Sequence, residues 1–218
     1  MTQEDLQRHY ATYYAPNNAV IAVAGDLPPD AMIDRVAETF AAIPERPAVP
    51  AVHLTEPPQR GERRVRVNGA GQTDYVQLAY HIPQARHEDF HALTVLNAIL
   101  SGGSGFIVGR GRITNYTSRL YGALVDEELA ISVHGGLAPT VDPGLYTLVA
   151  TVWPDRTHQT VEDRLSEEID RLHQEQVSQE EIQKAKRQAK ALFAFSSESI
   201  SHQAFWLGFS SIFADTEW

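Results

Sequence analysis

The chain has 218 residues, enough for one large domain or two small ones, with 43% hydrophobic and 21% charged residues. A formal charge of −10, with Lys and Arg scattered and not set in a stripe among aromatics, argues against nucleic acid as a partner. Cysteine is absent, which removes a disulfide framework, a thiolate zinc site and a cysteine nucleophile without choosing between cytoplasm and periplasm. No apolar run approaches the ~20 residues of a membrane helix, and the first residues do not read as a signal peptide.

In chain order, Thr2 and Asp5 have the spacing of a helix N-cap, and a helix over 3–14 ends before Pro16. Residues 18–25 form an apolar run stopped by Gly25-Asp26, short enough for a buried strand. Pro28-Pro29-Asp30 opens a second helix with Ile33, Val36 and Phe40 on one face. Residues 44–58 hold five prolines and little periodicity, the composition of an extended linker. Arg64 to Val67 and Asp74 to Ile82 then alternate, with Val76, Leu78, Tyr80 and Ile82 sharing one face of a half-buried strand.

A helix is expected over 89–100, ended by Ser101-Gly102-Gly103-Ser104-Gly105, and another over 118–127. Leu129 to Val133 and Leu145 to Val152 read as strands. Thr160 is the expected cap of a helix whose Val161, Leu165, Ile169 and Leu172 lie along one stripe. Ser178 and Glu181 make a capping box that opens the last helical region. Strands followed by helices, repeatedly, predict an α+β fold: an antiparallel sheet with helices packed on one face, not a doubly wound sheet.

Three stretches invite a chemical reading. His87-Glu88-Asp89-Phe90-His91 matches H-E-x-x-H, which on a helix sets two imidazoles around zinc with Glu as base. Here the motif straddles the expected helix start, so its plainer reading is a polar first turn in which Glu88 and Asp89 suit the helix dipole. The glycine-rich stretch 101–111 lacks the Gly-Lys-Thr/Ser ending of a phosphate loop and follows a helix, so it reads as a loop between helices. Ser118, Ser196 and Ser199 have no G-x-S-x-G context. Phe193, Phe195, Phe205, Trp206 and Phe209 read as helix-packing core.

Residues 117–133, Thr-Ser-Arg-Leu-Tyr-Gly-Ala-Leu-Val-Asp-Glu-Glu-Leu-Ala-Ile-Ser-Val, resemble the second-domain signature of the pitrilysin/insulinase zinc metallopeptidases, the clan of the mitochondrial processing peptidase. Tyr13-Tyr14-Ala15-Pro16-Asn17-Asn18, Val23-Ala24-Gly25-Asp26, Phe40-Ala41-Ala42-Ile43-Pro44, Val76 to Tyr80, Ala92 to Leu100 and Asp142-Pro143-Gly144-Leu145 extend the resemblance over nearly the whole chain. Complete members carry an Arg and a Tyr in the signature that hold the substrate backbone and its tetrahedral intermediate. Aligned on Leu124 and Leu129-Ala130, with one residue fewer between, this chain has Val125 and Ile131 at those places. Neither side chain can donate a hydrogen bond to an oxyanion.

The resemblance implies a processing-peptidase-like fold divided into three parts. Residues 1–43 would be the terminal helix–strand–helix unit of the first family domain, 44–58 a linker, and 59–218 the second, non-zinc domain, incomplete at its C-terminus. The family's inverted zinc motif, H-x-x-E-H, appears nowhere and is expected upstream of residue 1. The chain is therefore expected to carry no catalytic, cofactor-binding or metal residue of its own. Its parent would be a zinc endopeptidase subunit acting on peptides, where a zinc-activated water attacks the scissile carbonyl with Glu as base. A homologous partner subunit, or a second copy, is the expected partner, with neither nucleic acid nor membrane. Two alternatives stand beside it: a non-catalytic scaffold member of the family, and an independent zincin using His87 and His91. The run 18–25 is further expected to join the main sheet, in its own chain or in a twin's.

Overall fold

The computed structural model describes residues 1–50, 57–102 and 116–213, and they divide into two compact units, Met1–Gly69 and Ala70–Trp218.

In the first unit, helix α1 (Gln3–Tyr13) opens on a capping box: the Thr2 hydroxyl accepts the Asp5 N–H at 3.2 Å, and the Asp5 carboxylate accepts the Thr2 N–H at 2.9 Å. A single 3₁₀ turn (Pro16–Asn18) follows, held by the Asn18 side-chain amide donating to the Tyr13 carbonyl at 2.8 Å. Helix α2 (Pro29–Phe40) starts with proline at its first position, where the missing N–H costs nothing. The Arg46 guanidinium donates to the Ala11 carbonyl at 2.9 Å, tying the chain beyond α2 back to α1. Ala15 is the sole buried residue among the described residues of this unit.

The second unit is built on a three-stranded antiparallel sheet, among the described residues, in the order β1-β3-β2. Strand β1 is Tyr75–Ile82, β2 is Ala130–Gly136 and β3, in the centre, is Gly144–Val152. The pairing Val76↔Ala150↔Val133 fixes the register, and Tyr146, Leu148, Ala150 and Val152 point into the core while Leu145, Thr147, Val149 and Thr151 do not. Helices α3 (Asp89–Ser101) and α4 (His158–Gln174) pack on the apolar face. From α3, Phe90 and Leu100 enter the core; from α4, Val161 and Leu165 do so, with Ile169 and Leu172 alongside. Helix α5 (Gln179–Ser197) lies on α3 through Ala185 against Ala98 and Ile99, and α6 (Ile200–Phe213) packs on α5. The α+β expectation, with helices on one face of an antiparallel sheet, holds.

Five local expectations need correction. The run 18–25 forms no strand among the described residues, although Ala19 itself is extended at φ −128° and ψ 143°. Residues 64–67 also form no strand, and Val65 and Val67 are exposed. In both cases the apolar or alternating pattern is present and no partner strand lies among the described residues. Helix α4 is capped by Thr157, whose hydroxyl accepts the Thr160 N–H at 3.2 Å, one turn earlier than the expected Thr160. The helix expected over 118–127 is wound at Tyr121–Val125 into a π turn, with Asp126 N–H donating to the Tyr121 carbonyl at 3.2 Å. Phe205, Trp206 and Phe209 pack together on α6 as expected, but Phe193 and Phe195 are exposed on α5. The expected glycine-rich loop beyond Gly102 and the linker core 51–56 lie outside the described residues. No described helix is long and apolar enough to cross a membrane.

Candidate functional site

The signature segment is anchored at its start by charge. Arg119 donates through Nε and Nη2 to the two oxygens of Glu181 at 2.6 and 2.9 Å, a bidentate pair. Glu181 also accepts the Ser178 N–H and hydroxyl at 3.0 and 2.8 Å, completing the capping box of α5. These bonds, the Arg119 guanidinium foremost, hold the Glu181 carboxyl down at about 2. Lys184 donates to the Thr117 carbonyl at 2.8 Å. One helix start thus clamps the beginning of the segment, and Leu120 and Leu124 are driven into the core behind it.

The π turn then carries Val125 against that core, half-buried. The chain reverses at Glu128, the sole non-glycine residue with positive φ among those described, at φ 54°. Its carbonyl accepts from Arg156 Nε at 3.1 Å, and the following N–H, of Leu129, donates back to the Leu124 carbonyl at 2.8 Å. These two bonds hold a glutamate in the left-handed region. Strand β2 begins at once and is bulged: Ala130 opposes Val152 while Ser132 opposes Thr151, leaving Ile131 as the extra residue. Ile131 is 48% exposed at this sheet edge. Bulges re-aim a side chain out of the strand's alternation. Val125 therefore faces the core and Ile131 faces solvent, and neither offers a donor or acceptor there.

On the sheet face away from the helices, Tyr75, Thr151 and Ser132 stand in one row, with Ser132 Oγ and Thr151 Oγ1 3.1 Å apart. Gln77, Val149 and His134 form the next row. This open face carries hydroxyl, amide and imidazole groups and no carboxylate.

A buried polar group lies on the opposite face, and the sequence reading missed it. Asn97 Oδ1 accepts from the Tyr146 hydroxyl at 3.1 Å and the Ser101 hydroxyl at 2.9 Å. Burial pushes the Tyr146 phenol well above its ordinary range, so it stays a neutral donor. Gly135 supplies the room: a Cβ there would lie 2.3 Å from Asn97 Oδ1, 2.4 Å from Ser101 Oγ and 2.7 Å from the Tyr146 hydroxyl. A glycine inside a strand is the sequence signal that could have found this close approach. A second buried group, Glu168 on α4, is bracketed by Arg164 at 2.7 Å and Arg171 at 2.9 Å. The first cluster joins α3 to β3; the second lies within α4, and Arg164 also donates to Glu127 at 3.3 Å.

His87 and His91 do not form a metal pair. His87 lies before α3, and its Nδ1 accepts the Asp89 N–H at 3.2 Å, so the motif lacks the one-face helical geometry that zinc needs. Among the described residues no three His, Cys, Asp or Glu side chains converge for a metal ion. Ser118 is buried at the entry to the π turn. The side chain of Ser196 lies outside the described residues.

These elements make an α+β domain, an antiparallel sheet backed by helices with a π turn feeding a bulged edge strand. The family profile described as the Peptidase M16 inactive domain matches residues 1–189, and the chain belongs to that family. The Helicobacter pylori protein named Zinc protease PqqE is 26% identical over 207 residues, taking in 93% of this chain and 44% of that protein. The chain spans less than half the length of the curated relatives it matches. A crystal structure of a protease from Helicobacter pylori superposes with a TM-score of 0.86 at 24% identity, over 97% of this chain and 49% of the other. The peptidase M16 inactive domain from Pseudomonas fluorescens does so with a TM-score of 0.71 at 22% identity, over 96% and 47%. These two likenesses speak to the fold.

Proposed function

We propose that this chain supplies the non-zinc part of a zinc endopeptidase that acts on extended peptides. Residues 1–43 would be the terminal unit of the first family domain, 44–58 its linker and 59–218 the second domain. The observation that carries the reading is the pair of apolar residues at the signature's functional places, Val125 turned into the core and Ile131 on an exposed bulge. The zinc, its ligands and the general base would come from sequence outside this chain. The Arg and Tyr would come from a homologous partner subunit. The open sheet face, with its hydroxyl and amide rows, is suited to an extended polypeptide.

The test is metal analysis after dialysis, together with an assay on unfolded peptides. The isolated chain should hold no stoichiometric zinc and cleave nothing, and Val125→Arg with Ile131→Tyr should add no activity. One zinc per chain, lost on His91→Ala, would overturn the reading in favour of an independent zincin.

A further inference from the structure

We propose that one end of the open sheet face, at Ile131 and Trp153, is a subsite for a large, uncharged, apolar side chain of an extended peptide. This rests on the reading of the chain as part of a peptidase and adds which peptides it takes.

The bulge sets the geometry. Ala130 and Val133 are both buried, and two inward residues three apart in a strand leave the pair between them, Ile131 and Ser132, turned to the open face. Ala130 opposes Val152, and the Trp153 N–H donates to the Leu129 carbonyl at 3.1 Å, so Trp153 lies at the same end of the sheet as Ile131. Val152 points into the core, and alternation therefore turns Trp153 to the open face, one step beyond Thr151. Ile131 is 48% exposed and Trp153 40%, with Tyr75 65% exposed across Thr151. All of these residues belong to the second unit.

Charge decides what meets this surface. The outward positions within Tyr75–His81, Ser132–Gly136 and Leu145–Thr151 include no Lys, Arg, Asp or Glu, in a chain of net charge −10. Aromatic and apolar groups without charge are the composition of an interface centre. A charged side chain set against Ile131 and Trp153 would give up water and find no counter-ion on the face, whereas an apolar one gains by leaving water. The face also repeats in rows, Tyr75–Thr151–Ser132 and then Gln77–Val149–His134. Successive rows lie about 6.8 Å apart, the spacing of alternate side chains in an extended peptide. The bulge spoils the outer ladder of β2 at this corner, so a peptide is read here through its side chains and not by strand addition.

The experiment uses the 218-residue chain in EDTA and capped peptides of about eight residues. These are Ser, Thr and Gln throughout, with Phe, Lys or Asp at the centre, and binding is read by fluorescence anisotropy. The Phe peptide should bind at least about tenfold tighter than either charged one. Net charge alone would instead rank Lys above Phe and Phe above Asp. That order, equal affinities or no binding of the Phe peptide overturns the proposal. Ile131→Lys should weaken the Phe peptide about tenfold and strengthen the Asp peptide by a similar factor. Val141→Lys puts the same charge on an exposed residue between β2 and β3 and should change either affinity by less than about twofold. Equal responses to the two substitutions overturn the proposal as well. Amide exchange at Val133 and Leu148 shows that both variants keep the sheet. Metal analysis and cleavage decide the peptidase reading and are separate readouts, so its failure is distinguishable from a wrong peptide ranking.

Discussion

Helices α2 and α4 carry the same kind of apolar stripe, yet α4 buries Val161 and Leu165 completely while α2 leaves Ile33 65% exposed and Phe40 half exposed. The difference extends to the units around them. Residues 70–213 gather a continuous core from the sheet, α3, α4 and the π turn, whereas the first unit, among its described residues, buries Ala15 alone. Amphipathic pattern states that a helix needs a partner; it does not supply one. For α4 the partner is the adjacent sheet, and burying a Leu or Val there contributes about 1.5–3 kcal/mol per side chain. Among the described residues of its own unit, α2 has no comparable cover.

The largest expected effect tests that contrast directly. Leu148→Ala, at the centre of β3 and fully buried, should cost about 2–5 kcal/mol in urea unfolding followed by circular dichroism. Ile33→Ala should change the midpoint by less than about 0.5 kcal/mol. Comparable losses at the two sites would show that the first unit is buried in solution and would break the comparison.

Next in size is the buried Asn97 group. Gly135→Ala would press a methyl group to within 2.3 Å of Asn97 Oδ1, and relieving that overlap should cost about 1–3 kcal/mol. Removing the obstructing side chain should recover part of it, so Asn97→Ala should be less damaging in the Gly135→Ala background than alone. Additive losses in this double-mutant cycle would show that the strain lies elsewhere.

A smaller effect depends on pH. Glu181 titrates at about 2 in the folded chain, below its ordinary 4.5, because Arg119 and Ser178 donate to it. A lowered folded value means that the unfolded chain binds the proton more tightly. The contribution is therefore complete above about pH 4.5 and is lost as pH falls toward about 2. With the carboxylate about a third exposed, solvent screening reduces the contribution to about 1 kcal/mol. Glu181→Gln should cost that much at pH 7 and little at pH 2, in thermal melts at both values. An equal loss at both would mean that the amide disturbs packing and that charge is not the cause.

The helices were largely legible in the sequence because their causes are local. Thr2 and Asp5, Ser178 and Glu181, and the Val161–Leu165–Ile169 stripe act within a turn or two of the residues they organise. Strands depend on a neighbour far away in sequence, so β1 was legible through alternation, while 64–67 alternates and 19–24 is an apolar run, each without a described partner strand. The signature positions Val125 and Ile131 were visible from residue order. Their surroundings were not: a π turn and a one-residue bulge leave little trace in composition. Gly135 was readable as a glycine next to a strand, but its purpose depends on Asn97 and Tyr146, which approach it from elsewhere in the chain.

The smallest prediction concerns two backbone positions, one in each unit. Glu128 sits at φ 54°, where a side chain costs about 1–2 kcal/mol over the right-handed form. Glycine removes that cost but loses more entropy on folding, so Glu128→Gly should stabilise the chain by about 0.5–1 kcal/mol. The bonds that fix this corner are made by backbone atoms, Leu129 N–H to the Leu124 carbonyl and Arg156 to the Glu128 carbonyl, and both survive the change. Gly25 in the first unit has no such conformational demand: a Cβ there would meet the Leu27 side chain at 3.8 Å, an ordinary contact. Gly25→Ala should therefore fall within about 0.5 kcal/mol of neutral. Urea midpoints of the two variants, measured beside the parent, check both. If Glu128→Gly destabilises, the glutamate side chain holds the corner through contacts of its own and the turn is not strained. If Gly25→Ala destabilises strongly, backbone approaches closely at Gly25 in solution, and the exposed first unit is in fact covered.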